Sequence, residues 1–272
     1  MIAVELRKTF RRRRTWGTIA ALNALPLLVA ILLRITALAP RPGEGPAFLS
    51  AVLGNGQLFP LAALGIVLPL FLPIAVAVVA GDSVAGEAQA GTLRYLLARP
   101  AGRTRLLVAK LVAVVAFVAV TVVVVAIVGF VVGRLLFATP PAGVPATISV
   151  SGTPLTAEQI AVRTVLAIGY VAVSMLGVAA FALLFSTLTD SPLVAALGAL
   201  AVLVASTLLL GLDAASPIAP YLPTRYWLAF VDLFRDPILW RNVGRGLALQ
   251  GVYVGVLLAA AWANFSTKDI TS

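Results

Sequence analysis

Long apolar runs broken by short polar punctuation dominate the chain, and their lengths carry the first message. Six helices are predicted, at about 16–38, 59–80, 110–133, 159–186, 193–212 and 244–265. At 1.5 Å of rise per residue each is long enough to cross about 30 Å of hydrocarbon. The third run, Phe117 to Val132, is so rich in valine that a water-soluble protein would make it a strand. Its length and lack of charge predict a helix instead, because a helix satisfies its own backbone polar groups in lipid. Thr156-Ala157-Glu158-Gln159 has the form of a capping box ahead of the fourth run, and Asp190-Ser191-Pro192 offers a cap followed by proline ahead of the fifth. Pro69 and Pro73 fall inside the second run and remove two amide donors, which predicts a bend or hinge there.

Composition turns these runs into a class. Of 272 residues, 61% are hydrophobic and 11% charged, against about 25% charged in a soluble domain. A water-soluble globule is excluded, and residues 1–272 read as one all-α integral membrane domain. The formal net charge of +10 could serve nucleic acid or an anionic membrane face, so its placement decides. Arg7, Lys8 and Arg11 to Arg14 precede the first run, and an even number of spans puts both termini on one side, which the positive-inside rule makes cytoplasmic. Arg94, Arg99, Arg103, Arg105, Lys110 and Lys268 then fall on that side, against Arg34, Arg41, Arg134, Arg163, Arg225, Arg235, Arg241 and Arg245 outside. Attraction to anionic lipid accounts for the charge without nucleic acid. The basic start with Ala37-Leu38-Ala39 superficially resembles a signal peptide, but the apolar run is too long and Pro40 follows directly, so an uncleaved anchor is expected.

The missing chemistry is equally informative. With no Cys and no His, thiol and imidazole catalysis, disulfides and soft-metal sites are excluded. Arg34, Lys110, Arg163 and Arg245 are expected to snorkel from span ends, which leaves no ionisable relay at mid-membrane and disfavours an ion-coupled transporter. Lys8, Lys110 and Lys268 follow Arg7, Ala109 and Thr267, so no phosphate-binding Gly-Lys-Ser/Thr loop exists. Any work this protein does draws its energy from another chain.

Between the second and third spans, the polar segment 81–105 carries the most specific pattern. Gly91 or Thr92 can cap a short helix, Leu93, Leu96 and Leu97 share one face, and Pro100 with Gly102 ends it. Arg94 and Arg99 project elsewhere, toward lipid phosphate or acidic groups of a partner. The order Glu87, Gly91-Thr92-Leu93, Leu96-Leu97, Pro100, Arg103 and Lys110 resembles the signature of type-2 ATP-binding-cassette (ABC-2) permeases. The basic N-terminus, the six spans, the aromatic last outer loop and the ending Phe265 to Asp269 extend the likeness over nearly the whole chain. Gly102 and Ala109 depart from it, standing where serine and glycine are frequent.

That resemblance implies six transmembrane helices with an N-terminal amphipathic elbow helix (1–15), a short cytoplasmic coupling helix and an extracellular re-entrant, aromatic segment. It implies a dimer with a second permease copy, identical or paralogous, and separate cytoplasmic ATPase subunits that hold ATP and Mg2+, with no cofactor in this chain. The segment around Thr92 would dock on the ATPase. Glu87 is then either a solvated loop acid or the partner of an elbow arginine among Arg11, Arg12, Arg13 and Arg14.

Spans two and five would face the cargo, which suggests Pro69, Pro73, Ser206 and Thr207 as pathway residues. The polar groups within spans, Asn23, Thr121, Tyr170, Ser174, Ser206, Thr207, Gln250 and Tyr253, favour helix-to-helix hydrogen bonds over ligand contacts. Gly129-x-x-x-Gly133 and Gly251-x-x-x-Gly255 favour packing within one subunit over dimerisation. The outer loop 213–243, with Tyr221, Tyr226, Trp227, Phe230, Phe234 and Trp240, reads as an interfacial belt or an outer gate, and Thr147 to Gly152 as a short hairpin. The expected function is the permease of an ATP-driven exporter for hydrophobic or amphipathic cargo such as a drug, peptide or lipid, in a prokaryotic plasma membrane. The alternatives are a non-transporting scaffold or signalling module coupled to an ATPase, and the permease of a nitrous-oxide-reductase maturation system.

Overall fold

A computed structural model describes residues 1–38, 45–46, 48–92, 102–137 and 147–267. Among the described residues the fold is all-α apart from one two-stranded hairpin, and six helices are long and apolar enough to cross a membrane. Helices α1 (Ile2–Arg11) and α2 (Arg13–Thr36) meet at a kink where Arg12 turns extended. The angle is fixed from the α2 side. Thr15 donates its hydroxyl to the Thr9 carbonyl at 2.7 Å and Trp16 its indole N–H to the Phe10 carbonyl at 2.8 Å, which satisfies two of the carbonyls that α1 leaves open at its end. The first span therefore begins at Arg13, earlier than the apolar run suggests.

The second run is two helices, α3 (Phe59–Val67) and α4 (Phe71–Gln89), with the break at 68–70 beside Pro69 and with Pro73 in the first turn of α4. The expected hinge is a full interruption. Helix α4 also runs past the predicted limit at residue 80, because Asp82 and Glu87 are carried in helix by paired cations. Gly91 in left-handed conformation (φ 66°) closes α4. Its N–H bonds the Ala88 carbonyl at 2.9 Å and Thr92 N–H bonds the Glu87 carbonyl at 3.0 Å, the paired bonds of a Schellman end. Gly91 and Thr92 thus terminate a long helix; whether they also open a short one falls to 93–101, outside the described residues.

Helix α5 (Arg103–Leu136) starts seven residues before the predicted third span. Strands β1 (Thr147–Ile148) and β2 (Pro154–Leu155) pair antiparallel, a hairpin whose second strand lies beyond the expected limit at Gly152. Helices α6 (Ala157–Leu188) and α7 (Pro192–Leu210) carry the two expected caps: Thr156 and Gln159 bond reciprocally at 3.2 and 2.9 Å, and Ser191 accepts from Val194 N–H at 3.4 Å. Three 3-10 turns, Asp213–Ala215, Ala219–Tyr221 and Trp227–Phe234, then lead to α8 (Trp240–Thr267). Alternating directions place α1, the α4 terminus, the start of α5 and the end of α8 at one end of the bundle, the base.

Helix α6 is central, packing against α4, α5, α7 and α8. Its buried Ser186 donates to the Gly81 carbonyl at 2.6 Å and accepts from Val84 and Ala85 N–H at 3.1 and 2.9 Å, so the hydroxyl is fully used against the α4 backbone. Away from the base, Gly129 and Gly133 bring α5 against the start of α3. A Cβ on Gly129 would lie 2.9 Å from Pro60 Cα, and one on Gly133 would strike the Gly56 carbonyl oxygen. This pair packs within the subunit, whereas Gly251 and Gly255 face open space.

Candidate functional site

At the base, the elbow, the end of α4 and the start of α5 bring seven charged side chains together. Glu87, 6% exposed, lies between two ammonium groups: Lys8 donates to Oε1 at 2.5 Å and Lys110 Nζ lies 2.6 Å from Oε2. Lys110, 1% exposed, also donates to the Ser83 carbonyl at 2.7 Å and has Glu5 at 3.8 Å. One turn toward the start of α4, Asp82 accepts from Arg12 at 2.7 Å and from Arg14.

Lys110 therefore does not snorkel. Its ammonium stays inside because two carboxylates and a carbonyl replace its water, the condition under which a buried charge is tolerated. The expected pairing of Glu87 with an arginine among Arg11 to Arg14 is not found: Glu87 pairs with Lys8 of α1, Arg12 and Arg14 serve Asp82, and Arg11 and Arg13 are exposed. Helix periodicity explains the exchange. Lys8 and Glu5 lie three apart on α1 and share the face turned toward α5, whereas Arg12 and Arg14 lie at the kink.

A crevice of about 550 Å³ lined by Lys8, Arg12, Arg14, Asp82, Glu87 and Thr92 opens beside this cluster. The Thr92 hydroxyl returns to the Glu87 carbonyl at 3.2 Å, so the residue where segment 93–101 departs is tied to the clustered carboxylate's own backbone. Leu93, Arg94, Leu96, Leu97 and Pro100 lie outside the described residues. Arg103 donates to the Ser266 carbonyl at 2.7 Å, Trp262 to Thr104 at 2.9 Å and Asn264 to the Thr187 carbonyl at 2.9 Å, which joins α5, α6 and α8 at the same end.

At the far end, the loop after α7 is tied to α6 and α8. Arg163, buried at 6%, does not snorkel either; it donates to the Arg235 carbonyl at 2.9 Å and lies 3.3 Å from Asp236. Tyr170 donates to the Tyr226 carbonyl at 2.6 Å, Gln250 to Pro223 at 2.8 Å and Tyr253 to Tyr221 at 2.8 Å. Gln250 and Tyr253 lie about 15 and 20 Å along α8 from Trp240, so residues 221–226, termed the lid, lie alongside α8 at those levels. Most of the polar span residues thus bind lid backbone or their own helix. Asn23, Ser174 and Thr207 each bond a carbonyl four residues earlier.

Of the expected pathway residues, Pro69, Pro73 and Thr207 line one cavity of about 170 Å³ at the α3–α4 break, with Leu70, Leu203 and Trp227. Ser206 does not join them: it is buried and shares a 2.7 Å hydrogen bond with Thr224 of the lid. Among the described residues, no group of three or more Asp, Glu, His or Cys is placed to hold a metal ion.

A family profile described as a protein of unknown function, DUF2705, matches residues 27–271. The chain belongs to this family. Comparison with curated proteins gives no match. In this DUF2705 member the profile spans Asp82, Glu87, Lys110, the helix break and the lid, but starts after the elbow that supplies Glu5, Lys8, Arg12 and Arg14. The sequence singled out Glu87 and the arginines but not Lys8, Glu5, Asp82 or Lys110 as one cluster. Pairings between residues 79 apart, as for Lys8 and Glu87, leave no local periodic trace. The available signal was the isolated acids Asp82 and Glu87 at the end of an apolar run, which have to be paired if the helix continues.

Proposed function

We propose that this chain is the transmembrane permease subunit of an ATP-driven exporter of the ABC-2 type, moving uncharged hydrophobic or amphipathic cargo with energy from a separate ATPase subunit. The observation that supports the reading is the Lys8–Glu87–Lys110 cluster, with Glu87 and Lys110 buried, on the two helices that flank the motif segment 93–101. A partner that pushes on this segment moves the end of α4, and the ion cluster passes that motion to the elbow and α5 together. The base is then the cytoplasmic side of a prokaryotic plasma membrane, and both termini are cytoplasmic. The segment around Thr92, within 81–105, is the part that docks on the ATPase. ATP and Mg2+ belong to the partner, and a second permease copy completes the pathway.

On this reading the lid is a re-entrant gate, and the cavity at the α3–α4 break receives cargo. The cavity lining carries no charge, so a charged cargo would lose its hydration there without compensation. Thr92→Pro removes the N–H that bonds the Glu87 carbonyl, and Glu87→Gln removes the shared carboxylate. Both variants are expected to insert in the membrane yet lower the stimulation of partner ATPase in reconstituted liposomes. Unchanged stimulation in both would refute the coupling role.

A further inference from the structure

Away from the base, α3, α5 and α6 leave an apolar groove of about 280 Å³ between them. Its room comes from small side chains, Ala126 on α5 and Ala157 and Ala161 on α6, and its wall includes Phe130 and Ile168. From Ala157 to Ile168 it follows α6 for about 16 Å, the depth of one leaflet's share of about 30 Å of hydrocarbon. Next to the groove, Arg134 in the last turn of α5 stacks its guanidinium 5.6 Å from the centroid of the Phe130 ring, which forms part of the groove wall. The arginine makes no ion pair among the described residues, unlike Arg12, Arg14, Arg163 and Arg235. Gln57, at the start of α3, adds a carboxamide to the groove lining.

We propose that this groove is a specific lipid site, holding one acyl chain of an anionic phospholipid with its phosphate on Arg134, in the leaflet opposite the base. A lipid is the occupant that fits all three features. The groove is one leaflet deep, its lining is mostly apolar and carries no formal charge, and the cation of Arg134 is stacked on the Phe130 of its wall, at the end of α5 where headgroups lie. The stack on Phe130 holds the guanidinium plane in place, and its five N–H donors suit phosphate oxygens. The site is independent of the export reading, because it concerns what surrounds the helices rather than what passes between them.

The test is retention of added lipid by the purified full chain in mild detergent, measured by native mass spectrometry with phosphatidylglycerol or phosphatidylcholine of identical acyl chains. Wild type is expected to keep phosphatidylglycerol about fivefold better, the factor for one basic contact at a membrane surface. Arg134→Gln should erase that preference while keeping chain binding. Ala161→Phe, at an exposed position whose ring would fill the groove, should lower retention of both lipids. Equal retention of the two lipids by wild type, or a preference that survives Arg134→Gln, would overturn the proposal. So would lipid retention untouched by Ala161→Phe while that variant breaks an oligomer, since a second copy of the chain would then be the occupant.

Discussion

Replacing Glu87 by Gln should destabilise the protein more than replacing Lys110 by Met, although the two groups face each other at 2.6 Å. After Glu87→Gln, Lys110 remains 1% exposed with only the Ser83 carbonyl at 2.7 Å and Glu5 at 3.8 Å. An ammonium left buried without its close carboxylate costs about 3–5 kcal/mol. After Lys110→Met, Glu87 keeps Lys8 at 2.5 Å, so the expected cost is about 1.5–3 kcal/mol, that of one charged hydrogen bond. The double variant removes the stranded charge and should recover part of the loss from Glu87→Gln. Thermal unfolding in detergent, followed by tryptophan fluorescence, reads the series. At about 2–4 °C per kcal/mol, Glu87→Gln should lower Tm by roughly 6–20 °C. Equal shifts for the two single variants, or a double variant less stable than Glu87→Gln alone, would refute the argument that the carboxylate serves two cations.

Two further outcomes test other joints. Gly133→Ala drives a methyl group into the Gly56 carbonyl and should cost about 1–3 kcal/mol of overpacking, whereas Gly251→Ala meets nothing within 4 Å and should leave Tm unchanged or slightly higher; equal losses in thermal melts would contradict the packing. Arg163→Gln removes the charged bonds to residues 235 and 236, worth about 1.5–3 kcal/mol. Amide hydrogens of the Trp227–Phe234 turn should then exchange about 10- to 100-fold faster, and unchanged exchange would show that the lid is held elsewhere.

How much of this was legible in the sequence follows from the range of each interaction. The caps at Thr156 and Ser191, the interruption at Pro69 and the hairpin near Gly152 depend on neighbours a few residues apart, and local chemistry announced them. Span limits were misplaced wherever a charge was taken as a boundary. Helix α4 continues through Asp82 and Glu87, and α5 begins before Lys110, because each charge meets an opposite one brought in by another helix. The lid was the hardest to foresee. Its aromatic composition suits a membrane surface, yet the carbonyls of Tyr221, Pro223 and Tyr226 are held by the side chains of Tyr253, Gln250 and Tyr170, partners 27 to 56 residues away in the chain. The partner of Ser206 was hidden for the same reason: a hydroxyl on a span looks free until Thr224, 18 residues on, is in place beside it.

The export reading rests on an ATPase meeting the chain beside Thr92. Because the chain contains no cysteine, Thr92→Cys places a single thiol at that point. The direct measurement is purification of this variant from its own membranes in mild detergent, with a thiol-directed cross-linker and an ATP hydrolysis assay on the product. The account predicts a cross-linked subunit that hydrolyses ATP, its yield reduced when Thr92→Cys is combined with Glu87→Gln. An intact membrane chain that cross-links only to itself and carries no ATP hydrolysis would contradict it.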